Sequence, residues 1–130
     1  MNNAVITDTM AVVLRLERRR LPQQVRIIFE EAEKGNRNLY IPAMVLAEIG
    51  YLAERGRIDL TLQDVITYSA TYTTIEVQAI TEEIITRSFE IDDIPELHDR
   101  IIAGTALMRQ LPLVTNDPVI TDSQYVTVVW

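Results

Sequence analysis

Hydrophobic residues along this chain follow two spacings, one typical of strands and the other typical of helices. Short continuous apolar runs are typical of buried strands, and longer stretches with an apolar residue every three or four positions are typical of amphipathic helices. The short runs predict five strands, at residues 4–7, 39–41, 74–77, 113–115 and 125–129. The longer stretches predict six helices, at residues 9–19, 23–34, 42–56, 61–71, 80–89 and 95–110.

Proline and glycine mark several of the predicted helix ends. Pro22 is placed to open the second helix at its first position, and Gly35 is placed to end it. Pro42 starts the third helix, which is predicted to end near Gly56. These signals divide the chain into short elements joined by short connections.

Alternating strands and helices predict an α/β fold with a parallel sheet covered on both faces. The 130 residues contain no internal repeat, no low-complexity tract and no linker rich in Gly, Pro or Ser. We therefore predict a single domain over residues 1–130. Ligands of such sheets bind beyond the carboxyl ends of the strands, so the residues that follow the strands are the candidates for function.

Three aspartates occupy positions of this kind, and each has a simple structural explanation when taken alone. Asp8 follows the first strand and Asp117 follows the fourth, and both read as helix N-caps. Asp99 lies in the first turn of its helix, where the helix dipole favours an anion. Asp99 also shares a helix face with Ile102 and Ala103, which are expected to pack inward.

Glu48 is harder to explain structurally. On a helical wheel it falls within the apolar arc formed by Val45, Ile49 and Leu52. No Lys or Arg lies three or four residues away on the same helix, and a buried carboxylate without a partner is costly. Two interpretations stay open: a functional carboxylate, or a side chain at the rim that reaches water.

Four carboxylates converging on one site would need a cation. Two like charges about 4 Å apart repel by about 4 kcal/mol at an effective dielectric constant near 20. Oxygen-only ligands, in a chain with no cysteine and one histidine, favour Mg²⁺ or Mn²⁺ over Zn²⁺. His98 precedes Asp99 and points away from it around the helix, so we interpret it as a structural or surface residue. The acids in question, which we call the acidic quartet, are Asp8, Glu48, Asp99 and Asp117.

The net charge of −7 argues against nucleic-acid binding unless some acids hold metal ions. One local basic cluster could contact a phosphate backbone, or it could simply be a solvated face; its members are Arg18, Arg19, Arg20 and Arg26. The absence of cysteine favours a reducing compartment, and neither a signal peptide nor an apolar span of about 20 residues is recognisable. We therefore expect a cytoplasmic protein without a membrane partner.

Several segments of the chain resemble the PIN-domain nucleases, and among them the small VapC-type toxins of bacterial toxin–antitoxin pairs. The matching segments are VITDTMAVVLRL (5–16), IPAMVLAEIGYLAERGRI (41–58), HDRIIAGTALMRQLPLVTND (98–117) and the closing YVTVVW. The most specific features are the strand followed by Asp-Thr, the Glu in the helix after the second strand, and Asp-Arg-Ile-Ile-Ala followed by Leu-Val-Thr-x-Asp. Together the matches span nearly the whole chain.

The resemblance implies a three-layer fold with strand order 3-2-1-4-5, in which Asp8 and Asp117 are neighbours. It implies that the acidic quartet is the catalytic and metal-binding site, with Thr115 in support and with Asp8 and Asp99 as direct ligands. The implied activity is an endoribonuclease that depends on Mg²⁺ or Mn²⁺. The implied partners are RNA, a second copy of the chain, and an antitoxin protein that binds the helices near the N-terminus.

Two other functions stay open at this stage. The first is a PIN-fold nuclease that acts in RNA processing outside toxin–antitoxin biology. The second is a non-catalytic α/β interaction module or receiver-like module. A receiver needs paired acids after its first strand, and Asp8 has no acidic neighbour.

Overall fold

The structure, a computed structural model, describes residues 3–130, so the first two residues of the predicted domain lie outside the described residues. The strands are β1 (Val5–Thr7), β2 (Leu39–Pro42), β3 (Ile75–Gln78), β4 (Leu113–Val114) and β5 (Val128–Val129). The helices are α1 (Thr9–Leu16), α2 (Gln23–Glu33), α3 (Ala43–Glu54), α4 (Leu62–Thr71), α5 (Glu82–Ser88), α6 (Leu97–Arg109) and α7 (Pro118–Thr121).

The five strands form one parallel sheet in the order β3-β2-β1-β4-β5. β1 lies at the centre, and all three of its residues are buried, because helices cover both faces of the sheet. This confirms the predicted α/β class and strand order. The order reverses direction at β1, so the carboxyl ends of β1 and β4 lie side by side and form the expected binding edge.

Four helices end with a residue in the left-handed backbone region. α2 and α3 end as predicted, at Gly35 with φ of +82° and at Gly56 with φ of +67°. α1 and α6 end in the same conformation without glycine, at Arg18 and Gln110, with φ of +58° and +56°. The prediction that the first helix reaches residue 19 is therefore wrong: α1 ends at Leu16, because the chain reverses at Arg18.

The last strand and the position of Pro22 also differ from the prediction. β5 holds only Val128–Val129, because hydrogen bonds from the Ser123 hydroxyl and the Gln124 backbone to Asp93, both at 2.8 Å, hold the preceding segment in a loop. Pro22 lies at the N-cap of α2 instead of the first helical position, because its ψ of 147° is extended. The short helix α7 was not among the predicted helices.

α5 and α6 pack unusually closely. A Cβ atom added to Gly104 of α6 would lie 2.9 Å from the Cα atom of Ser88 on α5. The hydroxyl of Ser88 donates to the Ile84 carbonyl at 2.7 Å, so the polar group is satisfied inside this contact. Within residues 3–130, no helix has the length and apolar character to cross a membrane.

Candidate active site

Asp8 lies at the carboxyl end of β1 and forms the N-cap of α1. Its side chain accepts a hydrogen bond from the Ala11 backbone N–H at 2.8 Å, and only 8% of the residue is exposed. Burial raises the pKa of this carboxyl from 3.8 to about 6; hydrogen bonds from Thr115 and Ala11 oppose the shift, and the charges of Glu48 and Asp117 add to it. The carboxyl group is held in an environment that disfavours its negative charge.

Thr115 joins two of the predicted site residues across neighbouring strands. This buried threonine follows β4, and its hydroxyl donates to the Asp8 carboxylate. The same oxygen accepts the backbone N–H of Asp117 at 3.1 Å. Asp117 in turn caps α7, since its carboxylate accepts the backbone N–H groups of Val119 and Ile120 at 2.9 Å and 3.0 Å.

Glu48 lies half-buried on α3, which packs against α1 and α6. Its carboxylate accepts a hydrogen bond from the Thr9 hydroxyl at 2.5 Å. The partner that Glu48 lacks on its own helix is therefore supplied by α1, directly after Asp8. This contact fixes the Glu48 carboxylate on the side of α3 that faces the first turn of α1.

Asp99 lies in the first turn of α6 and is half-buried. Burial raises the pKa of this carboxyl from 3.8 to about 6, and the charges of Asp117, Glu96, Glu48 and Asp8 add to the shift in that order. All four of these charged groups are negative. The end of α6 that faces β1 and β4 is therefore a region of concentrated negative potential.

The acidic quartet comes from four different elements and shares one edge of the sheet. Its members influence the pKa values of Asp8 and Asp99. Across residues 3–130, however, no group of three or more His, Cys, Asp or Glu side chains is arranged closely enough to hold a metal ion. The hydrogen bonds to Ala11, Thr9 and the start of α7 hold three of the acids in local contacts. The carboxylate donors match a hard divalent cation, but they do not form a closed cage as they are oriented.

Two other predicted positions lie away from this edge. His98 is exposed and contacts Glu96 at 3.1 Å, in keeping with its interpretation as a surface residue. The arginine cluster lies around the opposite end of α1. Arg15 is seven residues beyond Asp8, which corresponds to about 10 Å along the helix axis.

Two residues near the quartet were not singled out from the sequence. Thr9 holds Glu48, and its signal in the sequence was its place beside Asp8 at the start of a helix. Glu96 forms the N-cap of α6 and accepts the Asp99 backbone N–H at 2.7 Å. Glutamate is not a typical N-cap residue, so the sequence offered no clear signal for it.

Comparison with known proteins identifies one family. The family model described as PIN domain matches residues 5–122, which is most of the chain. No curated protein sequence matches the chain.

Solved structures with the same fold include chains from toxin–antitoxin complexes. VapBC2 from Rickettsia felis, bound to a DNA fragment from its promoter, has a chain that is 18% identical, with a TM-score of 0.73 and 98% of both chains covered. DNA-bound VapBC from Salmonella typhimurium has a chain that is 20% identical, with a TM-score of 0.70 and coverage of 99% of this chain and 98% of the other. A domain of a functionally unknown protein from Methanocaldococcus jannaschii is 22% identical, with a TM-score of 0.59 and coverage of 98% and 90%. At these identities the similarity shows the fold alone.

Proposed function

The chain belongs to the PIN-domain family, a family of nucleases, and from this premise we propose that it is a metal-dependent endoribonuclease and the toxin of a type II toxin–antitoxin pair. In this proposal residues 1–130 form one PIN domain. The proposal assigns the acidic quartet as the catalytic and metal-binding site and RNA as the substrate. It adds a cognate antitoxin and a homodimer as partners.

One observation carries the proposal: four carboxylates share one edge of the sheet without a cationic partner. Among the salt bridges of residues 3–130, none involves Asp8, Glu48, Asp99 or Asp117. Uncompensated charge of this kind reduces stability, so it is typical of sites where a bound cation supplies the missing charge. Burial raises the pKa values of Asp8 and Asp99 to about 6, and the negative charges of the neighbouring acids add to both shifts.

In this proposal the four carboxylates bind the cation, and two threonines hold the carboxylates in place. Asp8 and Asp99 are the proposed direct ligands, with Glu48 and Asp117 completing the donor set. Thr115 donates to Asp8 and so favours its ionised form, and Thr9 donates to Glu48 and holds that carboxylate in place. When bound at such a site, Mg²⁺ or Mn²⁺ lowers the pKa of a coordinated water and offsets charge on the phosphate.

The toxin assignment draws on the resemblance in sequence and on the fold shared with chains of VapBC complexes. The antitoxin is proposed to bind the helices near the N-terminus, α1 and α2. A PIN nuclease of RNA processing is the alternative within the same family. The match to the PIN family argues against a receiver-like module.

Cleavage by purified protein tests the nuclease function. We expect RNA to be cut with Mg²⁺ or Mn²⁺ and to remain intact with EDTA. Asp99→Asn should lower the rate by at least about a thousandfold, as expected for a group that acts as part of a catalytic unit. Glu54→Gln is the matched control, because it neutralises an exposed carboxylate outside the quartet, and its rate should stay within about threefold of wild type. Wild-type cleavage by Asp99→Asn would exclude the proposed site.

Growth and co-purification separate the toxin from the alternative. A toxin expressed alone should arrest growth, and Asp99→Asn should not. Purified from its host, it should carry a small partner protein in stoichiometric amount. Cleavage activity without growth arrest and without a partner would favour the role in RNA processing.

A further inference from the structure

Glu48 differs from two other members of the acidic quartet in how its carboxylate is held. Asp8 and Asp117 are N-caps, and backbone N–H groups at the starts of α1 and α7 donate to them. Glu48 is the sixth residue of α3, beyond the first turn, where backbone N–H groups are already bonded within the helix. Its own helix therefore offers this carboxylate no backbone donor, and the donor has to come from another element.

That donor is the hydroxyl of Thr9, the first residue of α1. Oγ1 of Thr9 lies 2.5 Å from Oε1 of Glu48. Thr9 is buried, and α1 packs against α3, so the hydroxyl is largely shielded from solvent. Because this bond falls on Oε1, the second carboxylate oxygen of Glu48 stays available as a ligand atom for a cation.

A hydroxyl group suits this position because it is uncharged. A lysine or arginine in its place would also hold Glu48, but it would cancel the charge of the carboxylate and compete with a cation. Thr9 orients the carboxylate and leaves its negative charge in place. Glutamate has several rotatable side-chain bonds, and a carboxylate that is already ordered does not lose that freedom again when a ligand binds.

Thr9 also links the position of Glu48 to that of Asp8. The aspartate directly precedes Thr9, and it is fixed at the start of α1 by the hydrogen bond from the Ala11 backbone N–H at 2.8 Å. The negative charge of Glu48 contributes to the raised pKa of Asp8, so the two carboxylates are close enough to interact. The start of α1 therefore holds two carboxylates that come from different elements of the fold.

We propose that Thr9 is a positioning residue of the metal site, whose hydroxyl holds Glu48 beside Asp8 in the arrangement that a divalent cation needs. This inference rests on the proposed function and adds a residue that acts on the cation only through Glu48. Groups that hold metal ligands in place commonly contribute about tenfold to a hundredfold to metal affinity. Such a contribution disappears when the ligand that they hold is removed.

Binding of Mn²⁺ to purified protein tests this role without cleavage. Thr9→Val removes the hydroxyl and keeps the shape of the side chain, so the Kd for Mn²⁺, measured by calorimetric titration, should rise about tenfold or more. Thr9→Ser keeps the hydroxyl and should stay within about threefold of wild type. Thr105→Val is the matched control, since the hydroxyl of buried Thr105 bonds within its own helix, to the Ile101 carbonyl at 2.9 Å. Its affinity for Mn²⁺ should equal that of wild type.

A double-mutant cycle tests whether Thr9 acts through Glu48. Glu48→Ala removes the carboxylate, so Thr9→Val introduced into that variant should change the Kd for Mn²⁺ by less than about twofold. If Glu48→Ala binds no measurable Mn²⁺, the comparison of Thr9→Val with Thr9→Ser decides. Urea unfolding in EDTA checks that each variant is folded, and Thr9→Ala replaces Thr9→Val if the latter does not fold.

The inference and the proposed function can fail separately. If the wild type cuts no RNA, the nuclease function fails, and the Mn²⁺ titrations still decide the role of Thr9. Unchanged Mn²⁺ affinity in Thr9→Val would overturn the inference, as would an equal loss in Thr9→Ser. A further tenfold loss in the Glu48→Ala background would show that Thr9 acts by another route and would also overturn it. So would a wild-type protein that binds no Mn²⁺.

Discussion

A carboxylate that is at least partly withdrawn from water lies beside each end of α1, Asp8 at its start and Glu33 of α2 next to Arg15 in its last turn, and their pKa values shift in opposite directions. At the start, burial raises the pKa of Asp8 to about 6, and neighbouring acids add to the shift. At the other end, burial acts to raise the pKa of Glu33, but hydrogen bonds from Arg15 and Tyr68 outweigh it and lower the pKa. Tyr68 contributes a contact of 2.5 Å, and Arg15 contributes a two-pronged ion pair.

The difference shows that burial alone does not determine the direction in which the pKa of a carboxyl group shifts. The charge of Glu33 is balanced by Arg15 within the same chain, so this carboxylate needs no further partner. Asp8 receives hydrogen bonds from Thr115 and Ala11, but none of the groups that shift its pKa carries a positive charge. An acid with partial support and no counter-charge is the better marker of a functional site.

The largest effect is expected from a change in the contact between α5 and α6, since α6 brings Asp99 close to Asp8. Gly104→Ala would place a Cβ atom 2.9 Å from the Cα atom of Ser88. Because Cα is a backbone atom, a change of side-chain rotamer cannot relieve this clash. We expect a loss of about 3 kcal/mol in the free energy of unfolding, measured by urea titration. Because α6 also carries Asp99, cleavage should fall in protein that is still folded.

Gly50→Ala is the control for that prediction, since a Cβ atom there would meet only Leu62 at an ordinary 3.8 Å. Alanine is more favourable than glycine within a helix, so this variant should be as stable as wild type or more stable. Equal stability of the two variants would contradict a close crossing of α5 and α6.

The next effect concerns the missing counter-charge at Asp8. Between the unfolded pKa near 3.8 and the folded pKa of about 6, the folded protein keeps a proton that the unfolded chain has released, so stability falls as the pH rises through this range. Asp8→Asn retains an N-cap and removes the charge. In EDTA it should stabilise the protein by about 2 kcal/mol at pH 7.5, and this gain should disappear near pH 4.

Urea unfolding at the two pH values measures this gain. Asp122→Asn, which changes an exposed carboxylate, should give no comparable stabilisation at either pH. If Asp8→Asn is no more stable than wild type at pH 7.5, the contrast between the two ends of α1 is not electrostatic in origin.

The smallest effect is expected from removal of the Arg15–Glu33 ion pair at the end of α1. Arg15→Leu leaves Glu33 without its cation, and we expect a loss of about 1.5 kcal/mol, between the values for exposed and fully buried pairs. Arg26→Leu disrupts the exposed pair with Glu30 at 3.8 Å and should cost less than about 0.5 kcal/mol. Thermal or urea unfolding at pH 7.5 compares the two, and equal losses would show that Glu33 does not depend on its partner.

Most of the fold could be predicted from the sequence because local signals and hydrophobic patterns agree. Gly35 and Gly56 gave two helix ends correctly, since glycine is the residue that favours the left-handed backbone. Arg18 adopts the same conformation without being glycine, so the end of α1 was predicted too late. The short β5 could not be predicted either, because the bonds from Ser123 and Gln124 to Asp93 join segments about thirty residues apart.

The sequence proposes the residues of the candidate site but not the contacts between them. Strand ends and the resemblance selected the quartet, and the structure brings its members to one edge of the sheet. No local pattern indicates that Thr9 reaches Glu48 on another helix, or that Thr115 touches both Asp8 and the Asp117 backbone. The roles of the four acids and of the arginine cluster stay predictions until cleavage and binding are measured.

The conformation of Arg18 has a consequence for how this sequence can change over time. α1 ends with two backbone hydrogen bonds, from Arg18 N to Arg15 O at 3.2 Å and from Arg19 N to Leu14 O at 2.8 Å. The left-handed conformation of Arg18 that allows them is the one that glycine adopts at the lowest energetic cost. Glycine at position 18 would relieve this backbone strain, but it would also remove an exposed positive charge. Folding stability and surface charge therefore make opposite demands on the residue at position 18.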